Sequence, residues 1–216
     1  MINILPPLLN GAVATAEVTL GAIGVALLAS TAAVSARFSG FSALDWPARA
    51  YIELFRGTSA MIQLFWAFYA LPLVLPFRPS PMTAAIVVLG LNGGAYGAEI
   101  LRGTILAVPK GQRDAAIALN LPPFQRMFRI ILPQAAPLIL PPLANLFIDM
   151  LKNSALAGLV QVTDLTFQAQ LLQESMLRNA LVYGDALVIY FILAMIIAAV
   201  MRLLERFLRF PIGARV

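Results

Sequence analysis

Cysteine and histidine are both absent from this chain of 216 residues. That excludes a disulfide framework, a thiolate or imidazole metal site, and any Ser-His or Cys-His nucleophile. No G-x-x-x-x-G-K-[S/T] phosphate loop occurs either, so the chain cannot drive work by hydrolysing a nucleotide itself. Charge is scarce: Asp, Glu, Lys and Arg make up 12% of the residues, against about a quarter in ordinary soluble domains. Acids are fewer than bases, 10 against 15.

What fills the space is hydrophobic, 61% of the chain. Runs without charge occur at Val18–Ala36, Pro79–Ala98 apart from Arg78 at its edge, Ile130–Ile148 and Ala186–Met201, with Gly57–Phe77 between the first two. A span needs roughly 20 mostly apolar residues. The period-2 alternation of a membrane barrel is missing. The chain therefore reads as an all-α integral membrane protein, a single domain of five transmembrane helices at about 8–36, 57–77, 80–102, 130–158 and 183–205.

The cationic residues sort by side. Arg37, Arg49, Arg56, Arg102, Lys110, Arg113, Arg126, Arg129, Arg202, Arg206, Arg209 and Arg215 fall on one side of this topology; Arg78 and Arg178 fall on the other, with Lys152 near a span. Excess Lys and Arg marks the cytoplasmic loops, so the N-terminus is expected outside and the C-terminus in the cytoplasm. The net charge of +5 is thereby an anchoring feature, and no nucleic-acid partner is expected. No basic segment precedes Ile4–Leu9, so no cleavable signal peptide is expected.

The polar stretch 103–129 stands out in this apolar background. Pro109-Lys110-Gly111 ends the third span, and Gln112 to Leu119 is rich in helix-forming alanine. Asn120 suits a left-handed helix-ending position, and Pro122-Pro123 prevents continuation. Ala115, Ala118 and Leu119 would form a small flat apolar face flanked by Arg113 and Asp114. A helix so closely delimited reads as a docking surface on the cytoplasmic side.

Within the spans, polar residues are few and conspicuous. Glu17 lies about ten residues into the first helix, a depth near the bilayer midplane, where a bare carboxylate costs roughly 2.5–3.5 kcal/mol. It is expected to face the bundle interior or a wet cavity. Asp45, Arg49, Glu53 and Arg56 recur every three or four residues along one helical face at the cytoplasmic interface. Gly90, Gly93, Gly94 and Gly97 form overlapping small-xxx-small patterns that let two helices approach closely. Glu99 and Arg102 are spaced to pair, as are Asp149 and Lys152. Pro133, Pro137, Pro141 and Pro142 bend the fourth span. Asn145, Asp149, Lys152, Asn153 and Ser154 cluster late in it, as in a water-accessible lining. Thr163-Asp164 can cap an amphipathic segment, with Leu165, Ala169, Leu172 and Met176 on one side, lying along the outer interface. The last helix, Tyr183 to Leu204, reads as lipid-facing scaffold.

The chain resembles the permease subunit of bacterial ATP-driven importers for polar amino acids, the histidine, glutamine and arginine permease family, with the type I (MetI-like) fold and its Glu-Ala-Ala loop. The resemblance is nearly full length. It runs through Gly11–Val18, Phe55–Thr58 with Gln63-Leu64, Gly94–Gly103, Gly111–Leu119, Ile131–Ala135, Leu140–Asn145 and Leu151–Leu156. The loop here reads Asp114-Ala115-Ala116, with Asn120 in place of the family's glycine; Pro137 stands where Arg is common and Ser59 where Pro is common. The resemblance implies a cytoplasmic coupling helix in which Gly111, Gln112, Asp114, Ala115, Ala116, Leu119 and Asn120 meet a separate ATPase. It implies a second permease, identical or paralogous, two ATPase subunits and an extracytoplasmic amino-acid-binding protein as partners. ATP and Mg would reside on the ATPase, leaving this chain non-catalytic and without a cofactor, in the bacterial inner membrane. Glu17, Tyr96, Asp149, Lys152, Asn153 and Ser154 are the expected substrate path: a zwitterion needs a partner of each sign, and excess acid would favour a cationic or neutral polar amino acid. Two other classes compete. An intramembrane lipid-modifying enzyme would use Glu17 and Asp149 as acid and base, but leaves the polar stretch without a purpose. An ion-coupled carrier acting alone would be expected to show an internal inverted repeat, and none is visible.

Overall fold

The computed structural model describes residues 4–76, 78–176 and 179–209, and all regular elements among them are helical. Met176, Leu208 and Arg209 are described in backbone only; Arg178 and Arg215 and the side chain of Arg209, part of the charge asymmetry, and the side chain of Met176, assigned to an apolar face, lie outside the described residues.

Helix α1 (Leu5–Phe38) is one continuous rod with prolines only in its first turn, where the missing N–H costs nothing. Helix α2 (Ser42–Gly57) then turns by 107° into α3 (Ala60–Phe65), which continues through a π turn at Trp66–Ala70 into α4 (Leu71–Val74). Helix α5 (Pro81–Ala107) starts with a Ser80 cap: the Thr83 N–H donates to Ser80 Oγ at 3.1 Å. The short α6 (Lys110–Ala118) follows, then α7 (Pro123–Arg126), a π turn at Met127–Ile131 and α8 (Leu132–Asn153), which tightens into a 3-10 segment, Ser154–Val160. Helices α9 (Leu165–Met176) and α10 (Asn179–Arg209) complete the chain.

Four stretches are each long and apolar enough to cross a membrane: α1, α5, α7 through the 3-10 segment, and α10; the bent α2–α4 pair makes a fifth. This is the expected five-span architecture with one difference in construction. The second span is assembled across a break, and the charged segment expected at the interface forms its first half.

Glycine brings α1 and α5 together. A Cβ on Gly90 would sit 2.5 Å from Val25 Cβ, and one on Gly94 would sit 2.7 Å from both Ala29 Cβ and Tyr51 Oη. Around this contact Val18, Ala22, Ala26, Val88, Leu89, Ala98, Phe147 and Met150 form the main core. A smaller core of Leu8, Leu165, Ala169, Leu172, Val182 and Ala186 fastens α9 and α10 to the start of α1. There Asp164 caps α9, accepting from the N–H groups of Phe167 at 3.0 Å and Thr166 at 3.3 Å. Most of α10 remains exposed and apolar, as expected of a surface in contact with lipid.

Candidate functional site

The break between α2 and α3 lies level with Asn92, near the middle of α5: Asn92 Nδ2 donates to the Phe55 carbonyl at 3.0 Å. Here the backbone leaves helical geometry at Thr58 and Ser59. Irregular backbone at that depth is tolerated only inside protein or beside water, and here it borders a cleft. The elbow, α5 and α8 enclose an open hollow of about 290 Å³ whose polar lining is Thr58, Ser59, Asn92, Tyr96, Asp149 and Asn153. A second hollow of about 410 Å³, sharing Tyr96, Leu146 and Asp149, continues it towards the arginine-rich end and adds Arg56, Glu99 and Asn145.

The charges in this cleft differ in freedom. Glu99 is held by Arg102 through contacts of 2.7 and 3.1 Å and by Arg37 at 3.1 Å. Arg37 also reaches Asp45 at 3.3 Å, and Asp45 holds Arg49 at 2.7 Å. One guanidinium thus ties the end of α1 to both α2 and α5. Arg56 lies over the Tyr96 ring, 5.5 Å from its centroid, a cation–π arrangement. Asp149 and Lys152 pair at 3.4 Å with side chains 63% and 67% exposed, a contact that contributes little in that setting. Arg56 and Asp149 are the two charges of opposite sign left facing the cleft.

The residues expected along a substrate path divide. Tyr96, Asp149 and Asn153 come together as cleft lining, with Lys152 attached through Asp149. Ser154 is fully buried beneath it, donating to the Leu151 carbonyl at 2.7 Å, and does not line it. Glu17 is elsewhere. It is exposed on α1, one half-turn past Thr15, whose Oγ1 accepts the Leu165 N–H at 3.0 Å. Arg37 follows Glu17 by 20 positions, about 30 Å of helix and the full thickness of a bilayer core. Glu17 therefore stands near the rim opposite the arginines, not at the midplane, because α1 extends well beyond the apolar run. Arg56, Thr58 and Asn92 were not among the expected residues, and Asn145 was expected only as part of a water-accessible lining late in the fourth span. The signal that marks three of them is an uncharged polar side chain inside an apolar run.

At the arginine-rich end α6 stands clear of the bundle. It closes with a Schellman turn: Leu121 N–H donates to the Ala116 carbonyl at 3.2 Å and Asn120 N–H to that of Ile117 at 2.8 Å, with Asn120 at φ 56°. Gly111, Gln112, Asp114, Ala115, Leu119 and Asn120 are exposed, Leu119 by 72%. Ala116 is 1% exposed and faces the permease body. Arg113, on the same face, donates through Nη2 to the Ile105 carbonyl in the last turn of α5.

Membrane-length helices around a polar cleft, with a capped helix projecting at one end, define a polytopic membrane permease. Residues 22–210 match the family described as "Binding-protein-dependent transport system inner membrane component", and the chain belongs to that family. It is 41% identical over 212 residues to a probable amino-acid ABC transporter permease protein of Sinorhizobium fredii, covering 93% of this chain and 87% of that one. It is 34% identical over 204 residues to the glutamine transport system permease protein GlnP of Escherichia coli K12, covering 94% and 93%. The fold superposes on a crystal structure of an amino acid ABC transporter with histidines at a TM-score of 0.86, with 32% identity, covering 95% of this chain and 99% of that one. As a member of this family the chain is a permease subunit and not an enzyme.

Proposed function

We propose that this chain is the membrane subunit of an ATP-driven importer for polar amino acids, and that the cleft between the α2–α3 elbow, α5 and α8 is the substrate path. The carrying observation is that the cleft presents Arg56 and Asp149 together with uncharged polar groups at Thr58, Asn92, Asn145 and Asn153. A zwitterion brought into low dielectric needs a partner for each charge. Glu99 is already neutralised by two arginines and Glu17 is remote, so the excess of acid that would favour a cation is gone. A neutral polar amino acid fits best, in keeping with the glutamine and histidine in the names of the two relatives.

The rest of the machine is external. Exposed residues of α6, with Leu119 and Ala115 at the centre, dock on an ATPase that carries the ATP and Mg. Two ATPases, a second permease and an extracytoplasmic binding protein complete the importer in the bacterial inner membrane, with the N-terminus outside. ATP-driven closure of the ATPases rocks the helices between inward- and outward-open states, using the proline-containing α8 and the broken α2–α3 as compliant elements.

Replacing Asp149 by Asn tests the path in the reconstituted importer. A charged hydrogen bond is worth about 1.5–3 kcal/mol, so uptake of L-glutamine and L-histidine is expected to fall by roughly ten- to a hundredfold. Unchanged uptake of both removes Asp149 from the path. For docking, Asp114→Lys is expected to abolish substrate-stimulated ATP hydrolysis with the permease still inserted; normal stimulation refutes that role for α6.

A further inference from the structure

Of the motif Phe55–Thr58 with Gln63, Arg56 and Thr58 border the polar cleft, whereas Gln63 does not. It lies behind the elbow, beside an apolar groove that includes Trp66 and Leu91. Breaking a helix strands the last carbonyls of its first half, and within a membrane each unpaired group costs several kcal/mol. Side-chain amides meet that demand here. Gln63 Nε2 donates to the Phe55 carbonyl at 2.9 Å, to Thr58 Oγ1 at 2.7 Å and, more weakly, to the Thr58 carbonyl at 3.3 Å. Asn92 Nδ2, from α5, donates to the same Phe55 carbonyl and, at 3.1 Å, to Gln63 Oε1. Thr58 Oγ1 in turn donates to the Leu54 carbonyl at 2.7 Å.

The orientation of both amides is forced. Phe55 offers only an acceptor, so each amide must present an N–H to it, and the Gln63 oxygen is left to accept from Asn92. One carbonyl at the end of α2 is thus gripped by α3 and α5 together. The residues that follow it, Thr58, Ser59 and Ala60, form one wall of the cleft.

We propose that Gln63 is a positioning residue for the transported amino acid: with Asn92 it locks the broken second span onto α5 and so sets the distance between the elbow wall and the Asp149 wall. This rests on the cleft being the substrate path. Gln63 never touches the solute; it fixes where Thr58 and Ser59 stand.

The test is equilibrium binding of radiolabelled L-glutamine and L-histidine to the purified permease–ATPase complex, with no binding protein present to mask the membrane site. Gln63→Leu removes the donors, and Gln63→Glu keeps the shape while turning acceptors towards acceptors. Both are expected to raise Kd about tenfold per folded complex, with the thermal midpoint lowered and the size-exclusion profile retained. Asp149→Asn is measured alongside. Weakened binding in Asp149→Asn with unchanged Kd in both Gln63 variants overturns the lock and leaves the cleft standing. Unchanged Kd in all three overturns the cleft as well. Binding lost only in step with the amount of folded complex reduces Gln63 to a stability residue and overturns its positioning role.

Discussion

At the scale of single residues, glycine sets the tightest constraints. Gly90 and Gly103 both lie in α5, but only Gly90 faces another helix: its added Cβ would meet Val25 Cβ at 2.5 Å and the Ala22 carbonyl at 2.9 Å. Neither neighbour is the end of a flexible side chain. Gly90→Ala is therefore expected to destabilise by about 1–3 kcal/mol through overpacking. Gly103 has nothing within 4 Å of the same position, so Gly103→Ala is expected to stabilise by about 0.4–1 kcal/mol through the entropy of the unfolded chain. Thermal unfolding of the two purified variants should shift in opposite directions; a shift of equal sign would mean that the α1–α5 approach is looser than described. The small-xxx-small spacing made this contact legible in the sequence. Ala116 and Ser154 show the limit, because a small residue among polar neighbours has the same sequence signature whether it faces solvent or its own bundle.

At the scale of the helix, end chemistry decides where elements stop and how they respond to conditions. Asp164 is fully buried at the cap of α9, outside the spans, and burial pushes its carboxyl above the ordinary carboxylate range despite the bonds from Phe167 and Thr166 that favour the charged form. Between the unfolded value, about 3.9, and the raised folded value, the native state holds a proton that the unfolded state has lost. Stability contributed here is thus present at acid pH and declines as pH rises through that window. Asp164→Asn keeps a capping oxygen without the charge, so its thermal midpoint is expected to exceed the parent's near neutral pH and to converge with it in acid. Parallel profiles would refute the assignment. Asp164→Ala loses the cap and should cost about 1 kcal/mol in acid, and less as pH rises through that window. Both this cap and the Asn120 turn were visible as residue patterns, since capping is local. The α2–α3 elbow was not, because Asp45, Arg49, Glu53 and Arg56 give α2 the look of a surface helix. Their partners from outside the helix, Arg37 for Asp45 and Tyr96 for Arg56, come from segments distant in sequence. The depth of Glu17 is hard to read from sequence for a related reason: an apolar run marks where a helix meets lipid, not where the helix begins.

At the scale of the whole molecule, α5 connects the two surfaces that matter. Its middle supplies Asn92 and Tyr96 to the cleft, and its last turn receives Arg113 from α6. Arg37 binds Glu99 of α5 and Asp45 of α2 at the same end, so α1, α2 and α5 are braced as one body where α6 attaches. A push on α6 reaches the cleft through that body only if α6 is fastened to it, and the fastening consists of the short link at Val108-Pro109 and the Arg113 guanidinium on Ile105, the other contacts of α6 being with α7 and the π turn that leads into α8. Arg113 caps a helix-end carbonyl that has no partner of its own, and a bond from a charged donor contributes about 1.5–3 kcal/mol. Arg113→Leu should leave the exposed face of α6 intact, so the ATPase still docks and hydrolyses ATP, but α6 can then shift without carrying α5. The expected result in the reconstituted importer is a several-fold fall in amino acid imported per ATP hydrolysed. Asp114→Lys, by contrast, should remove stimulated hydrolysis and uptake together. The two substitutions sit side by side on one helix, yet one interrupts docking and the other transmission. An unchanged ratio of uptake to hydrolysis in Arg113→Leu would show that motion passes from α6 through α7 and α8 instead.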